Sequence, residues 1–360
     1  MNARDAESLY SRCSYFFGHP PQRAKARLLE AADGLHDERP DRYGTGELLE
    51  RVEKRVADLL GKESAVFMPG GIMAQQAALR AHADRNRINT VALHPRSHLY
   101  ESEAGAFEIL HPLRGIPIGS RVAMFTIDDL RAVTEPIGTL LMELPDRNLG
   151  GTLRPWDELD EIVTWARERG IRVHLDGARL WESAPYYGRS FAEIASLFDT
   201  VYVSMYKVLN AIAGAVLAGP AEIVNEARTW QIRHGGRLFQ QFPMAITAWQ
   251  GLERYLPRVP LYVKRAGSIA SQLHAFDGVR VVPDPPPTNM MHVYVRGDHE
   301  RLSEAALVAS AETKLWLRSA FQQTAVPGWS MFEIHCSEGS LALDDAVLRA
   351  TFERLLERLG

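Results

Sequence analysis

The stretch Ile171-Arg-Val-His-Leu-Asp-Gly-Ala-Arg179 indicates the fold of this chain. Its apolar start, Ile171–Leu175, is typical of a short buried strand, and a helical pattern over Pro155–Arg169 comes just before it. Similar apolar runs alternate with helical patterns elsewhere: Ala65–Met68, Thr90–Leu93, Thr139–Glu143, Val201–Ser204 and Gly214–Ala218. Strands that alternate with helices predict an α/β fold with a mainly parallel central sheet and helices on both faces.

The sequence pattern changes after about residue 250, where we expect a second domain. Proline-flanked sequence leads into a long predicted helix at Leu261–Phe276, and a predicted strand follows at Met290–Val295. We therefore expect an N-terminal segment over residues 1–40, a large domain over 41–254 and a smaller C-terminal α/β domain over 255–360.

The composition of the 360 residues excludes several classes of protein. Hydrophobic residues make up 46% of the chain, which is enough to bury a large core and excludes disorder as the main state. Lys and Arg number 41 against 45 Asp and Glu, so we expect no basic surface for nucleic acid or anionic lipid. The most apolar run, Val208–Ala218, is too short to cross a membrane.

The cysteines and the N-terminal residues bear on the compartment. Cys13 and Cys336 are too few for a disulfide framework and favour free thiols in a reducing environment. The first residues carry charges of both signs, unlike a secretory signal. We therefore expect a cytoplasmic protein.

Polar residues and glycines follow four of the predicted strands. In a parallel sheet the carboxyl ends of the strands meet at one edge, which is where ligands bind. The segments at this edge are Pro69-Gly70-Gly71-Ile72, Ser97-His98, Asp176-Gly177-Ala178-Arg179 and Ser204-Met205-Tyr206-Lys207. These segments are the first place to look for catalytic residues.

Lys207 and Asp176 are the strongest candidates for chemistry. Lys207 lies in an apolar stretch, and burial favours a neutral amine, which can form a Schiff base with an aldehyde. The alternative is a lysine at a strand exit that extends into solvent. A buried Asp176 needs a hydrogen-bonding or cationic partner, such as the protonated nitrogen of a pyridine ring. Capping the next helix, or pairing with Arg179, is the alternative for this carboxylate.

Two weaker signals come from glycines and a histidine. Gly70 and Gly71 precede a predicted helix at Ile72–His82, where backbone N–H groups can bind a phosphate, although such turns also occur without a ligand. His98 could lie on a planar cofactor, or could be a surface or capping histidine. We expect no metal on His94 and His98, because a proline between them disfavours a helix that would bring them together.

The order of the motifs resembles a known family. The motifs are Gly61-Lys-Glu-Ser-Ala-Val-Phe-Met-Pro-Gly-Gly71, Ser97-His98 with Glu103-Ala-Gly105, Leu141-Met-Glu143 with Gly150-Gly151, His174-Leu-Asp-Gly-Ala-Arg179 and Ser204-Met-Tyr-Lys207. Over about residues 40 to 295 the chain resembles the threonine aldolase and β-eliminating lyase family of fold-type I pyridoxal 5'-phosphate (PLP) enzymes. The most specific motif is His-Leu-Asp-Gly-Ala-Arg with a lysine at this distance.

The resemblance implies a role for each matching residue. The implied catalytic residues are Lys207, which would form a Schiff base with PLP, Asp176, which would pair with the ring nitrogen, and His98, which would stack on the ring. The implied cofactor contacts are Gly70, Gly71, Ile72, His98, Asp176, Arg179, Ser204 and Lys207. His98 or a bound water is the expected general base.

The resemblance also implies a reaction. It indicates a PLP-dependent lyase that cleaves or forms a β-hydroxy-α-amino acid, with glycine and an aldehyde as the other reactants. Alternatives are β-elimination, transaldolation or racemisation of an amino acid on the same cofactor, or a non-catalytic relative that binds a ligand. The implied partners are a small-molecule amino acid and further copies of this chain, in a homodimer or a homotetramer.

The substrate half of the site departs from the family pattern. The family histidine that contacts the substrate hydroxyl is absent, and Asp146 and Arg147 stand near its place. Met331 takes the place of a C-terminal arginine that binds the substrate carboxylate in the family. Either Arg179, Arg147 or Arg233 is then expected to bind that carboxylate, with Arg179 and Arg147 as the first candidates, or the substrate differs.

Overall fold

The computed structural model describes residues 9–15, 17–317 and 320–359. It consists of two compact units. The larger unit contains residues 23–149 and 153–257, and the smaller unit contains 150–152 with the described residues of 1–22 and 258–360. The expected division into domains at residues 40 and 254 stays a prediction, since compactness does not test independent folding.

Strands and helices are numbered in chain order. The strands are β1 (Ser14–Tyr15), β2 (Ser64–Met68), β3 (Thr90–Leu93), β4 (Arg114–Pro117), β5 (Thr139–Glu143), β6 (Arg172–Gly177), β7 (Thr200–Ser204), β8 (Ala215–Gly219), β9 (Val279–Val282), β10 (Met290–Arg296), β11 (Leu315–Trp316), β12 (Gln322–Gln323) and β13 (Trp329–His335). The helices are α1 (Ala24–Asp33), α2 (Glu47–Leu60), α3 (Gly71–Asn86), α4 (His98–Glu101), α5 (Ala106–Ile109), α6 (Ile127–Arg131), α7 (Trp156–Glu168), α8 (Ala184–Tyr187), α9 (Phe191–Ala195), α10 (Ala221–Arg233), α11 (Phe242–Arg254), α12 (Val259–Leu273), α13 (His299–Thr313), α14 (Glu338–Leu341) and α15 (Asp345–Glu357). Short 3-10 turns lie at Arg147–Leu149, Leu180–Glu182 and Leu256–Arg258.

The larger unit contains a seven-stranded sheet with the order β2-β8-β7-β6-β5-β3-β4. Its strands are parallel except for β8, which runs antiparallel to both of its neighbours. The predicted mainly parallel sheet is therefore confirmed. The sequence pattern did not indicate β4, because this edge strand buries only Ile116 and ends at Pro117.

Helices cover the sheet because its central strands are apolar throughout. Every residue of β7 and β8 is buried, so both faces of these strands need a covering layer. On one face, the small residues Ala74, Ala77 and Ala78 of α3 pack against the strands together with α10. The short alanine side chains let the backbone of α3 lie close to the sheet, which brings the start of this helix to the carboxyl edge.

The register of the parallel strands fixes the neighbours of Asp176. Asp176 on β6 lies beside Glu143 on β5 and beside Tyr202 on β7. Side chains that are paired across adjacent strands point to the same face of a sheet. The fold therefore places two carboxyl groups and a phenol side by side at the edge where ligands are expected.

The smaller unit has an antiparallel sheet with the order β12-β13-β10-β9. On β10 and β13, Tyr294 pairs with Met331, the residue at the place of the family arginine. Helices α13 and α15 pack against each other in this unit, and β1 pairs with β11 in a separate two-stranded sheet. The predicted smaller α/β architecture is confirmed. Across the described residues of both units, no helix is long and apolar enough to cross a membrane.

Glu53 on α2 fixes the strand that leads into the Gly70-Gly71 turn. Its Oε1 accepts a hydrogen bond from the backbone N–H of Phe67 at 2.8 Å. Its Oε2 accepts one from Nη2 of Arg228 at 2.6 Å, and the same nitrogen donates to the carbonyl of Ala65 at 2.9 Å. One carboxylate thus joins α2, β2 and α10.

We expect Glu53→Ala to lower the free energy of unfolding by about 2 kcal/mol, because it leaves a buried N–H and a guanidinium without their acceptor. Glu53→Gln keeps an acceptor for Phe67 and should lose about half as much. Urea unfolding of the two variants checks this difference. Equal losses in both variants would contradict the hydrogen bond to Phe67 as the main contribution.

Candidate active site

A cavity of about 220 Å³ lies at the carboxyl edge of the sheet, within the larger unit. Its walls come from the ends of β5, β6 and β7, from the start of α3 and from the segment around α4. The lining residues are Gly71, Ile72, Gln75, His98, Ser102, Glu103, Glu143, Pro145, Arg147, Asp176, Ala178, Arg179, Tyr202, Tyr206 and Lys207.

The cavity brings together most of the residues that the sequence singled out. Those that line it are Gly71, Ile72, His98, Arg147, Asp176, Arg179 and Lys207. Gly70 and Ser204 are not among the lining residues; Ser204 is fully buried, and its hydroxyl accepts a hydrogen bond from the N–H of Tyr206 at 3.3 Å. Arg233 lies elsewhere, with its guanidinium 4.3 Å from the ring centre of Trp230. The roles of all these residues stay predictions.

Asp176 is a buried carboxylate with neutral hydrogen-bond donors. Its Oδ2 accepts from the side-chain amide of Gln75 at 2.8 Å, and its Oδ1 accepts from the N–H of Ala178 at 3.0 Å. Burial raises the pKa of Asp176 to about 6, which these hydrogen bonds and the nearby His98 only partly offset. A cationic ring nitrogen would supply the charge that the two donors lack, so the residue fits a protonated pyridine.

A chain of hydrogen bonds joins Asp176 to His98. The amide nitrogen of Gln75 also donates to Oε1 of Glu103 at 3.1 Å, and Nδ1 of His98 lies 3.0 Å from the same oxygen. Oε1 of Glu103 accepts from Gln75, so we take it as the acceptor toward His98 as well, which assigns the proton of the neutral imidazole to Nδ1. This tautomer leaves Nε2 of His98 as the acceptor.

Glu143 is a third carboxyl group in the cavity. Its Oε1 accepts the backbone N–H of His98 at 2.6 Å. Burial raises the pKa of Glu143 well above its usual range, and the neighbouring carboxylates Asp146 and Asp176 raise it further. A negative charge on Asp176 therefore disfavours ionisation of Glu143 beside it.

Asp146 does not reach the main cavity. It lines a small adjoining cavity with His94 and Arg154, and it is 7% exposed. Both ring nitrogens of His94 have protein partners, since Nε2 lies 3.0 Å from the carbonyl of Ala123 and Nδ1 accepts the N–H of Arg96. Of Asp146 and Arg147, the two residues near the place of the family histidine, Arg147 is the one that lines the candidate site.

The start of α3 requires glycine at position 71. A Cβ atom there would lie 2.0 Å from Oη of Tyr202, and the ring of Tyr202 is buried among the core residues and cannot retreat. A Cβ at Gly70 would meet nothing within 4 Å. Gly71 and Ile72 line the cavity at the start of α3, where the N–H groups of a helix start suit a phosphate.

The cationic residues occupy the remaining wall. Nζ of Lys207 lies 5.2 Å from the ring centre of Tyr206, and both residues line the cavity. Arg179 is 8% exposed, and Arg147 lies in the 3-10 turn that follows β5. Three cations therefore face the same space as Asp176, which suits a ligand with anionic groups.

Sequence reasoning missed several lining residues. Gln75 could have been found, because it lies four residues after Gly71 and so shares its helix face. Tyr202 and Glu143 become visible only once strand register is known, since register places them beside Asp176. Tyr206 precedes the candidate lysine, but nothing in the sequence pattern indicates that it faces the cavity.

A family model for beta-eliminating lyases matches residues 27–298. The chain belongs to this family. The match includes every sequence-predicted residue of the cavity, and curated relatives are named low specificity L-threonine aldolases. The predicted family and the enzyme class, a PLP-dependent lyase, are confirmed.

Three proteins illustrate the likeness. A solved structure from Listeria monocytogenes, provisionally named an L-allo-threonine aldolase, is 35% identical, covers 99% of both chains and has a TM-score of 0.94. One from Exiguobacterium sp. 255-15, provisionally named an aromatic amino acid beta-eliminating lyase/threonine aldolase, is 37% identical, covers 98% of this chain and 99% of that chain and has a TM-score of 0.93. The low specificity L-threonine aldolase of Saccharomyces cerevisiae is 27% identical over 74% of this chain and 70% of the yeast protein.

The buried Asp176 should lower the free energy of unfolding of the cofactor-free protein at neutral pH. Its pKa of about 6 lies above the unfolded value, so the stability gained by protonation is present at low pH and is lost as pH rises through 6. Asp176→Asn removes this loss. Its unfolding free energy minus that of the native chain should therefore be about 2 kcal/mol larger at about pH 7.5 than at about pH 4.5.

Urea unfolding of the cofactor-free proteins at both pH values measures this difference. Asp160→Asn, a change at an exposed carboxylate of α7, is the matched control and should show no such dependence. A stability difference that does not change with pH would mean that Asp176 is not protonated by burial.

Proposed function

We propose that the chain is a threonine aldolase that uses PLP to cleave a β-hydroxy-α-amino acid to glycine and an aldehyde, or to form it from them. One observation carries the proposal: the buried Asp176, which lacks a charged hydrogen-bond donor, lines the same cavity as the amine of Lys207. Membership of the beta-eliminating lyase family and the likeness to named threonine aldolases support it.

The residues present fit the cofactor. Lys207 would bind its aldehyde carbon, Asp176 would face the ring nitrogen, and His98 would lie on the ring. The N–H groups of Gly71 and Ile72 would bind the phosphate. When bound, PLP supplies the electron sink that accepts the electron pair of the broken Cα–Cβ bond.

His98 is the proposed general base for the β-hydroxyl proton of the substrate. Its Nδ1–H donates to Glu103, so Nε2 keeps the lone pair that accepts a proton. The negative charge of Glu103 stabilises the imidazolium after transfer, and Glu103 in turn is fixed by Gln75. This pair takes over the task for which the family uses a histidine that the chain lacks.

Arg179 and Arg147 are the proposed ligands of the substrate carboxylate. Both guanidinium groups belong to cavity-lining residues, and Arg179 is only three residues from Asp176 along the chain. A planar guanidinium can bind a carboxylate through two parallel hydrogen bonds. The geometry favours these two over Arg233, which packs on Trp230.

We also propose that the enzyme works in the cytoplasm as a homodimer or a homotetramer. The two buried free thiols, Cys13 and Cys336, support a reducing compartment. Exposed apolar side chains near the cavity support a further subunit there, since Ile72 and Tyr206 are 42% and 40% exposed. Sedimentation of the purified chain tests the oligomeric state.

Incubation with threonine, allo-threonine and phenylserine tests the proposed reaction. The PLP-loaded protein should be yellow, should be fixed to PLP at Lys207 by borohydride, and should release glycine and an aldehyde. Lys207→Ala should lose on the order of a thousandfold in kcat, whereas Lys54→Ala, at an exposed lysine of α2, should match the native chain.

Ammonia with a keto acid would instead indicate β-elimination. A protein that neither binds PLP nor turns over any of the three amino acids would support a ligand-binding relative and contradict the proposal.

Glu103→Gln tests the base. The variant keeps the shape of the side chain but removes the charge that favours the protonated imidazole of His98. We expect kcat to fall by about 10- to 100-fold and the acidic limb of the pH–rate profile to move to lower pH. Glu135→Gln, at an exposed carboxylate bonded to Arg114, is the control. An unchanged pH profile in Glu103→Gln would exclude His98 as the base that Glu103 supports.

A further inference from the structure

Glu182 is a buried carboxylate that the proposed mechanism does not use. It ends the 3-10 turn Leu180–Glu182, and its side chain is 0% exposed. Within the part of the chain that the structure describes, neither of its carboxylate oxygens has a hydrogen-bond partner. A fully buried carboxylate without donors is unfavourable, so its presence calls for a charge that it balances.

Arg179 forms an ion pair with Glu182, and the charge of Lys207 acts on the same carboxylate. Nη1 of Arg179 lies 3.6 Å from Oε1 of Glu182. Burial raises the pKa of Glu182 to about 7, while the charges of Arg179 and Lys207 lower it. Both cations line the cavity, and Glu182 does not. Glu182 therefore lies outside the lining of the cavity and contacts Arg179, which belongs to that lining.

Arg179 has few other contacts to fix its guanidinium. Its side chain is 9% exposed, and Nε is buried without a hydrogen-bond partner in residues 9–15, 17–317 and 320–359. The ion pair with Glu182 is thus the charged contact that determines where this guanidinium lies. A guanidinium held in this way keeps its remaining N–H groups for a ligand in the cavity.

We propose that Glu182 is a positioning residue that holds the guanidinium of Arg179 at the cavity wall and supplies the negative charge that balances Lys207. The expectation that Arg179 binds a substrate carboxylate rests on the proposed function. The effect of Glu182 on Lys207 does not, because it is a property of the chain alone.

The charge is tested first in the full-length chain without added PLP. Competitive acetylation by acetic anhydride, with Lys207 followed by mass spectrometry, reports how much of its amine is neutral. Glu182→Gln removes the negative charge, so acetylation of Lys207 at about pH 8 should rise about three- to tenfold. A rise of this size corresponds to a titration midpoint of Lys207 that is lower by about half to one pH unit. Glu182→Asp and the exposed control Glu168→Gln should match the native chain.

Acetylation of Lys207 that is unchanged in Glu182→Gln, or that rises equally in Glu168→Gln, would overturn the assignment. The PLP-loaded proteins give a second spectroscopic measure. The pH midpoint of the visible absorbance band should fall in Glu182→Gln and stay in Glu168→Gln, and an unchanged midpoint would again overturn it.

Glu182→Asp tests whether Glu182 positions the guanidinium of Arg179. This test can be made even if the Glu182→Gln variant does not fold. The shorter carboxylate keeps its charge but retracts from Arg179, so KM for threonine should rise severalfold while kcat and Lys207 acetylation stay near native values. A native KM would overturn this part. If the native chain produces no glycine but Glu182→Gln still changes Lys207 acetylation, the proposed reaction fails while the positioning role stands.

Discussion

Burial of a carboxylate at the carboxyl end of β6 is the constraint on which the site depends. The sheet register places the buried Asp176 beside the half-buried Glu143. Burial raises the pKa of both carboxyl groups, and the charge of Asp176 raises the pKa of Glu143 further. A cation that enters the cavity relieves this cost, and the free energy stored in the ligand-free site becomes affinity for a positively charged ring.

The same carboxylate is coupled to the proposed base through a single amide. Gln75 donates to Asp176 and to Glu103 from one nitrogen, and Glu103 meets Nδ1 of His98. The groups that would bind the ring nitrogen and accept the substrate proton are therefore parts of one hydrogen-bond network. A change in charge on Asp176 therefore alters the electrostatic environment of His98, and the reverse, because the two share a hydrogen-bond network in a site of low dielectric constant.

The sequence predicts the architecture well, because each central strand is a short apolar run between helical patterns; the edge strand β4, with one buried residue, carries no such signal. It also predicts the residues that follow strand ends, such as Lys207 and Asp176. It does not predict which neighbours face the cavity, because that depends on register and helix rotation. Glu143 and Tyr202 line the cavity, whereas Ser204 is buried outside its lining, and its contact with the cofactor stays a prediction.

Under the proposed function, the departures from the family pattern mean that other residues of this chain bind the substrate. The chain has Met331 at the place of the family arginine, but Arg179 follows Asp176 by three residues on one strand and turn. The distance between the carboxylate of Asp176 and this guanidinium is therefore set by local chain geometry. A guanidinium in so dry a place needs a counter-charge, and the next turn of chain provides Glu182. One short segment can thus supply the partner of the ring, the ligand of the substrate and the anchor of that ligand.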